Sequence, residues 1–159
     1  MMPIEKSNAE QVLFTIVTVT KDNVEGLKAT EARIKAQSLQ DFEWVVIDGL
    51  SQDGTQDHLK EVGADYISEA DHGIYDAMNK GIRSSTADIV GILNADDVFY
   101  DDKVLERVIS CFVDHPDLDA VYADVVFEKN SKVWRHYSAK QWSPDRLGWG
   151  FMPPHPGVF

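Results

Sequence analysis

Asp96 and Asp97 are adjacent carboxylates that follow an apolar run, Asp88 to Leu93, across Asn94-Ala95. Two neighbouring negative charges repel each other unless a cation offsets them. In extended chain, successive side chains leave opposite sides of the backbone. One carboxylate can then face a sugar hydroxyl while the other faces a metal. Mg2+ takes one or two protein carboxylates, keeps several waters and completes its shell with substrate phosphates. The pair fits that chemistry, with Val98-Phe99-Tyr100 and then Asp101 and Asp102 behind it. The plain alternative is a polar loop whose Asp101 or Asp102 caps the next helix.

Two other strand-like segments end in polar groups. Leu13 to Thr20 closes on Thr18-Val19-Thr20 and runs into Lys21-Asp22, and Phe42 to Asp48 closes on Asp48-Gly49. In open α/β sheets, ligands bind beyond the carboxyl ends of the strands, so three such ends mark one candidate edge. Motifs that are missing narrow the chemistry. The chain has no G-x-x-x-x-G-K-[ST] phosphate loop and no G-x-G-x-x-G turn after a strand. It has no Cys/His set at zinc spacing and no G-x-S-x-G elbow. Its histidines, at 58, 72, 115, 136 and 155, are scattered.

The elements that must position these groups alternate. Leu13–Thr20 is β-branched and almost wholly apolar, a strand buried on both faces. Asn23 is a plausible N-cap for a helix running to about Gln37. Phe42–Asp48 is a second strand, and Gly49 to Gly54 is a loop before a short helix over Thr55–Val62. Ala64–Glu69 is a weaker strand, Ile74–Ser84 a helix, and Asp88–Leu93 a fourth strand. Asp101–Val113 is an amphipathic helix with Val104, Leu105, Val108, Ile109, Phe112 and Val113 on one face. Ala120–Tyr122 with Val125–Phe127 reads as one strand and Lys132–Tyr137 as another. Such alternation predicts right-handed βαβ units and a mostly parallel, mixed sheet in an α/β fold. Gly148 to Phe159 shows no strand or helix logic, which predicts a chain that is part of something longer.

Composition agrees with one globular domain. The 159 residues are 43% apolar and 26% charged. The net charge of −12 argues against a nucleic-acid backbone as partner. The acidity is uneven: residues 61–128 hold 4 Lys/Arg against 16 Asp/Glu, while residues 129–159 hold 5 against 1. A solvated acidic surface accounts for most of this, and a bound cation is the sharper reading. The single cysteine, Cys111, sits in the helical pattern as a small hydrophobe and fits a cytosolic chain. The opening Met1 to Lys6 has no signal-peptide character, and no run reaches the ~18 apolar residues of a membrane span.

Four segments together resemble glycosyltransferase family 2. Thr15 to Asn23 resembles the opening strand and its polar end. Val46 to Thr55 resembles the Asp-Gly-x-Ser-x-Asp-Gly-Thr loop. Ser68 to Ile82 resembles a segment of a subgroup that acts in surface-polysaccharide and O-antigen assembly. Leu93-Asn94-Ala95-Asp96-Asp97 resembles the Asp-x-Asp-like metal motif. The resemblance implies a GT-A, Rossmann-like fold of three layers, α/β/α. It implies transfer of a sugar, usually with inversion, from a nucleotide-diphosphate donor to a carbohydrate or lipid-linked acceptor hydroxyl. It also implies a Mg or Mn cation at Asp97, with Asp96 shared with the metal or turned to the donor ribose.

Thr18, Thr20 and Asp48 would hold the nucleotide at the first two strand ends, and Asp53 would join them or cap the helix from Thr55. Tyr75 and Asp76 would line the donor sugar, with Asp76 equally suited to first-turn electrostatics. Asn79 and Lys80 lie on the same helix, Lys80 either meeting a phosphate or standing solvated. Asp124 and His155 fall on the acceptor side, or are edge polarity and a proline-flanked structural histidine. Relatives often carry a second acid where this chain has Gly49, a small residue where it has Leu50 and an aromatic where it has Lys21.

A single domain over 1–159 is expected, its donor portion at 13–127 and the start of its acceptor portion at 128–159. The general base that deprotonates the acceptor is expected beyond Phe159. A cytoplasmic place is expected, with peripheral contact at the inner face of a membrane left open. Two other classes compete: a catalytically silent nucleotide-binding module and a phosphoacceptor receiver domain.

Overall fold

In the computed structural model the described residues are 14–129 and 132–159, apart from the side chain of Gln141. Leu13 and the opening residues lie outside them. Strand β1 (Phe14–Thr20) is buried at all seven positions, as its unbroken apolar and β-branched run requires. It pairs in parallel on one side with β2 (Glu43–Asp48), Thr20 opposite Asp48, and on the other with β4 (Ile89–Ile92), Val17 opposite Ile92. Strand β3 (Asp65–Ser68) adds in parallel to β2, Ser68 opposite Asp48, giving the order β3-β2-β1-β4. A receiver domain keeps its third strand inside the sheet; here the third strand is at the edge.

Helices cover both faces. Alternate residues of β1 and β2, Val17, Val19, Val45 and Ile47, pack with Ala77 and Met78 of α3 (Ile74–Ser84). On the other face, Phe14 and Ile16 pack with Ile34 of α1 (Val24–Lys35) and with Leu105 and Val108 of α4 (Val104–Asp114). Val46 packs there with Leu27 of α1 and Leu59 of α2 (Thr55–Val62). The result is three layers.

Helix α1 begins where Asn23 accepts the Gly26 N–H at 3.1 Å, as its residue type predicts. Helix α4 starts three residues later than Asp101, whose carboxylate instead accepts the Lys103 N–H at 2.9 Å and the Arg107 guanidinium at 2.8 Å. The apolar face of α4 ends at Phe112; Val113, expected on it, is 71% exposed. Cys111 is partly buried.

The antiparallel part of the fold is separate. Strands β5 (Val125–Lys129) and β6 (Lys132–Tyr137) make their own two-stranded sheet. Ala120–Tyr122 does not join β5 as one strand: Tyr122 sits in an isolated bridge with Val158. Val121 and Phe159 exchange backbone hydrogen bonds of 2.9 Å in both directions. The tail that carries no local pattern is thus fixed by partners far back in the sequence. Phe159 enters the core edge-on to Phe14, at 5.8 Å between ring centroids. Gly91 makes the space, since a Cβ there would lie 2.6 Å from the Phe159 ring. Among the described residues, no helix is long and apolar enough to cross a membrane.

One polar contact joins the two helices behind the candidate edge. Glu31 of α1, 7% exposed, pairs with His58 of α2 at 2.7 Å and with Lys35 at 2.6 Å. Burial pushes the Glu31 carboxyl up, but the hydrogen bonds from Lys35 and His58 outweigh it and leave its pKa below the ordinary value. A depressed carboxyl stabilises the fold above its unfolded pKa, and that contribution is lost as pH falls through the folded value. Glu31→Ala should therefore cost about 1.5–3 kcal/mol in urea unfolding at pH 7. The difference from the parent should shrink below about pH 4. An equal difference at pH 7 and pH 3 would contradict the assignment.

Candidate active site

The parallel sheet delivers three loops to one edge. After β1, Asp22 takes a left-handed φ of 49° and after β2 Leu50 takes one of 61°. These loops knit together. The Asp22 N–H donates to Ser51 Oγ at 2.8 Å, and the Gln52 N–H donates to Asp22 Oδ1 at 2.7 Å. Asp48 is fully buried, accepting the Ser68 hydroxyl at 2.6 Å and the Ser51 N–H at 3.2 Å. Asp53 accepts the Val24 N–H of α1 at 2.8 Å on one oxygen. Its other oxygen accepts the Thr55 hydroxyl at 2.6 Å and N–H at 3.1 Å. The Thr55 hydroxyl and the Val24 N–H hold its pKa below the usual range. Through these bonds Asp53 ties the first residues of α1 and α2 together.

The two threonines of β1 differ. Thr18 is fully buried and its hydroxyl accepts the Trp44 indole N–H at 3.0 Å. Thr20, 7% exposed at the strand end, has a buried hydroxyl with no hydrogen-bond partner among the described residues. An orphaned hydroxyl at a ligand edge is a group a bound molecule would satisfy.

The β4 loop carries the sharpest geometry. Asp96 and Asp97 are not in extended chain, as expected, but in a tight turn closed by the Asp97 N–H on the Asn94 carbonyl at 3.0 Å. Asp96 is the third residue of that turn with φ 83°, a place usually filled by Gly or Asn. Thr30 of α1 holds it: the fully buried hydroxyl accepts the Asp96 N–H at 3.0 Å and donates to the Asp97 carbonyl at 2.8 Å. The turn separates the two carboxylates, leaving Asp96 exposed and Asp97 half-buried. Burial raises the Asp97 carboxyl above the ordinary range; the Asn94 hydrogen bond and nearby His155 lower it without cancelling the effect.

Asn94 Nδ2 lies 3.2 Å from Asp97 Oδ2 and 2.7 Å from His155 Nε2. Its own Oδ1 is buried without a partner among the described residues. His155, read from sequence on the acceptor side, is thus brought to the end of β4 beside Asp97. Among the described residues no three His, Cys, Asp or Glu side chains gather at metal-binding distance. Asp97 fits a cation all the same, because a buried carboxylate gains most from one. Mg2+ needs only one or two protein carboxylates when phosphates complete its shell.

The remaining predicted residues divide. Tyr75 is 72% exposed and Asn79 exposed on the outward side of α3. Asp76 accepts the His72 N–H at 3.0 Å, which with Lys80 keeps its pKa low. Lys80 donates to the Ala70 carbonyl at 2.6 Å and pairs with Glu69 at 2.9 Å and Asp76 at 3.5 Å. Asp124 accepts from the Ala139 N–H and His136 at 2.8 Å each, and from Ser138 at 3.2 Å, which makes it a local clamp. The Ala139 N–H and His136 hold its pKa down. Thr30, Asn94 and Ser68 were given no role from sequence: Thr30 lies inside a helix with no chemical signal, and Asn94 and Ser68 fall in motifs whose other residues carried the reading.

Comparison with known proteins places this arrangement. The sequence model described as "Glycosyl transferase family 2" matches residues 15–156. A PGL/p-HBAD biosynthesis glycosyltransferase of Mycobacterium bovis is 33% identical over 129 residues, 77% of this chain and 50% of that protein. An uncharacterized glycosyltransferase of Mycobacterium tuberculosis is 33% identical over 99 residues, 60% of this chain and 38% of that protein. The chain spans about half the length of the curated relatives it matches. A mannosyltransferase from Pyrobaculum calidifontis, solved with GDP-Man and Mn2+, superposes with a TM-score of 0.65 at 21% identity, over 77% of this chain and 39% of that one. S. aureus TarS, solved with UDP-GlcNAc, gives 0.64 at 16%, over 76% and 36%.

The structural role of Asp53 is open to a direct check. Asp53→Ala should lower stability in urea by about 1–2 kcal/mol by removing the bonds that join the first residues of α1 and α2. An unchanged unfolding midpoint would return Asp53 to the list of free, ligand-ready carboxylates.

Proposed function

Since the chain belongs to glycosyl transferase family 2 and has the GT-A fold, we propose that it is the donor-binding portion of an enzyme that moves a sugar from a nucleoside diphosphate to an acceptor hydroxyl. The observation that carries this is Asp97: a half-buried carboxylate, its pKa raised by that burial, in a built turn after β4, the neighbour of the strand that ends at Thr20. Asp97 would hold a divalent cation, Mg or Mn, with Asp96 and His155 at hand on the same edge. A cation there supplies charge to neutralise the departing diphosphate.

The proposed transfer is a displacement with inversion. The acceptor oxygen bonds to the anomeric carbon, the bond from that carbon to the diphosphate oxygen breaks, and the hydroxyl proton passes to a general base. None of the described residues is assigned that proton. Thr20 would meet the nucleotide from the end of β1. Asp48 and Asp53 would serve it indirectly, by fixing the loops at 49–55 and 21–24. The solved neighbours carry GDP-Man with Mn2+ in one case and UDP-GlcNAc in the other, which supports a nucleotide-sugar donor. The setting we propose is assembly of a cell-surface glycan at the cytoplasmic side of a membrane, by the motif at Ser68 to Ile82.

Titration calorimetry of the chain with UDP, GDP and dTDP, with and without Mn2+, tests the reading. At least one should bind, tighter with the metal. Asp97→Ala should weaken the metal-dependent part by about 100-fold or more while leaving the fold intact by circular dichroism. A folded parent chain that binds none of the three would overturn the donor site.

A further inference from the structure

Residues 144–152 are exposed at every position. A loop so open to water is ordinarily polar, yet this one carries Leu147, Trp149, Phe151 and Met152, with Trp149 83% exposed. The loop is held at its base. The Trp142 indole N–H donates to the Phe151 carbonyl at 2.8 Å, and the Trp142 ring meets Tyr122 edge-on at 4.8 Å. The β5–β6 hairpin springs from the same anchor: Asp124, two residues past Tyr122, accepts the Ala139 N–H at 2.8 Å. Strand β6 is exposed at its first five positions, so neither of its faces is covered there. A two-stranded sheet is marginal on its own in water. This one holds Trp134, 63% exposed, tilted against Phe127 at 6.1 Å, with the Arg135 guanidinium 5.7 Å over the Phe127 ring.

Charge decides what these apolar groups meet. Residues 129–159 hold 5 Lys/Arg against 1 Asp/Glu, whereas residues 1–128 hold 10 against 26. The five cations, Lys129, Lys132, Arg135, Lys140 and Arg146, are all exposed. The ion pairs among the described residues use none of them. A second copy docked face to face would set positive against positive. We propose that the loop at 144–152 and the β5–β6 hairpin dock this protein on an anionic bilayer. The cations would lie at the lipid phosphates, and Trp149, Phe151 and Met152 would enter the headgroup boundary. The acidic remainder is repelled by the same surface, which fixes the orientation of the docked chain. His155, three residues past Met152 and so within about 10 Å of it along the chain, lies 2.7 Å from Asn94. Docking therefore brings the Asn94–Asp97 turn close to the bilayer; on the donor-site reading above, a lipid-linked acceptor would meet it there.

Sedimentation with lipid vesicles tests the docking with neither nucleotide nor metal present. The chain should bind phosphatidylcholine vesicles containing about 30% phosphatidylglycerol, and bind pure phosphatidylcholine about tenfold or more weakly. Raising salt from about 0.1 M to 1 M, which shortens the screening length from about 10 Å to 3 Å, should release it. Trp149→Ala combined with Phe151→Ala should weaken binding by about tenfold. Lys132→Glu combined with Arg135→Glu should remove the preference for anionic lipid. Val113→Ser, at the exposed end of α4, should change nothing. Circular dichroism checks that each variant is folded. A folded parent that ignores the vesicles, or one that binds neutral and anionic vesicles alike and is indifferent to both double variants, would overturn the docking. A dimer in sedimentation equilibrium that Trp149→Ala abolishes would give the surface to a second copy and overturn it too. Each of these failures leaves metal-dependent nucleotide binding, measured by calorimetry in the absence of lipid, standing or falling by itself.

Discussion

Parallel pairing on both sides of β1 is the constraint from which the rest follows. A strand hydrogen-bonded at both edges and packed on both faces can expose only its ends. Because its neighbours β2 and β4 run the same way, their carboxyl ends emerge with it. Thr20, Asp48 and the Asn94–Asp97 turn therefore share one edge by topology, before any side chain is placed. The apolar interior is the cost of that edge being polar: all seven residues of β1 are removed from water so that the loops can be wet.

At that edge the carboxylates take two kinds of work. Asp48, Asp53 and Asp76 are used by the protein itself, each accepting hydrogen bonds that fix a loop or a helix start. Asp96 is exposed and Asp97 half-buried beside it, and Asp71 accepts the Gly73 N–H on one oxygen. The two groups depend on one another. Asp97 is where it is because Thr30 supports a turn with Asp96 in a left-handed conformation that costs roughly 1 kcal/mol or more. Asp71 is where it is because Lys80 and Asp76 hold its loop.

Much of this was legible in the residues. The strands β1, β2 and β4 and the helices α1 and α3 follow from apolar runs, helical spacing and the Asn23 cap, all local signals. The Asp96-Asp97 pair is legible as a pair of charges. Which acid is structural and which is free was not legible, because the deciding bonds are long-range: Val24 to Asp53 spans 29 residues and Asp96 to Thr30 spans 66. The same holds for the tail. Residues 157–159 have no strand pattern, yet they bridge back to 121–123, and Phe159 finds the space left by Gly91. The place of His155 at the end of β4 was not legible for the same reason: no periodicity encodes a contact to Asn94, 61 residues earlier. The acidity of the middle of the chain is mostly surface, and only a few of its charges meet at this edge.

The most direct test of the metal-dependent donor site is a paramagnetic one. Mn2+ added with a nucleoside diphosphate to the isotopically labelled chain should broaden amide resonances steeply with distance from the ion. Broadening centred on Asn94 to Asp97 and His155, fading through Thr20 to Asn23 and fainter at Gly49, is the predicted result. Broadening centred on the acidic surface elsewhere, or none until the metal is in large excess, would contradict it.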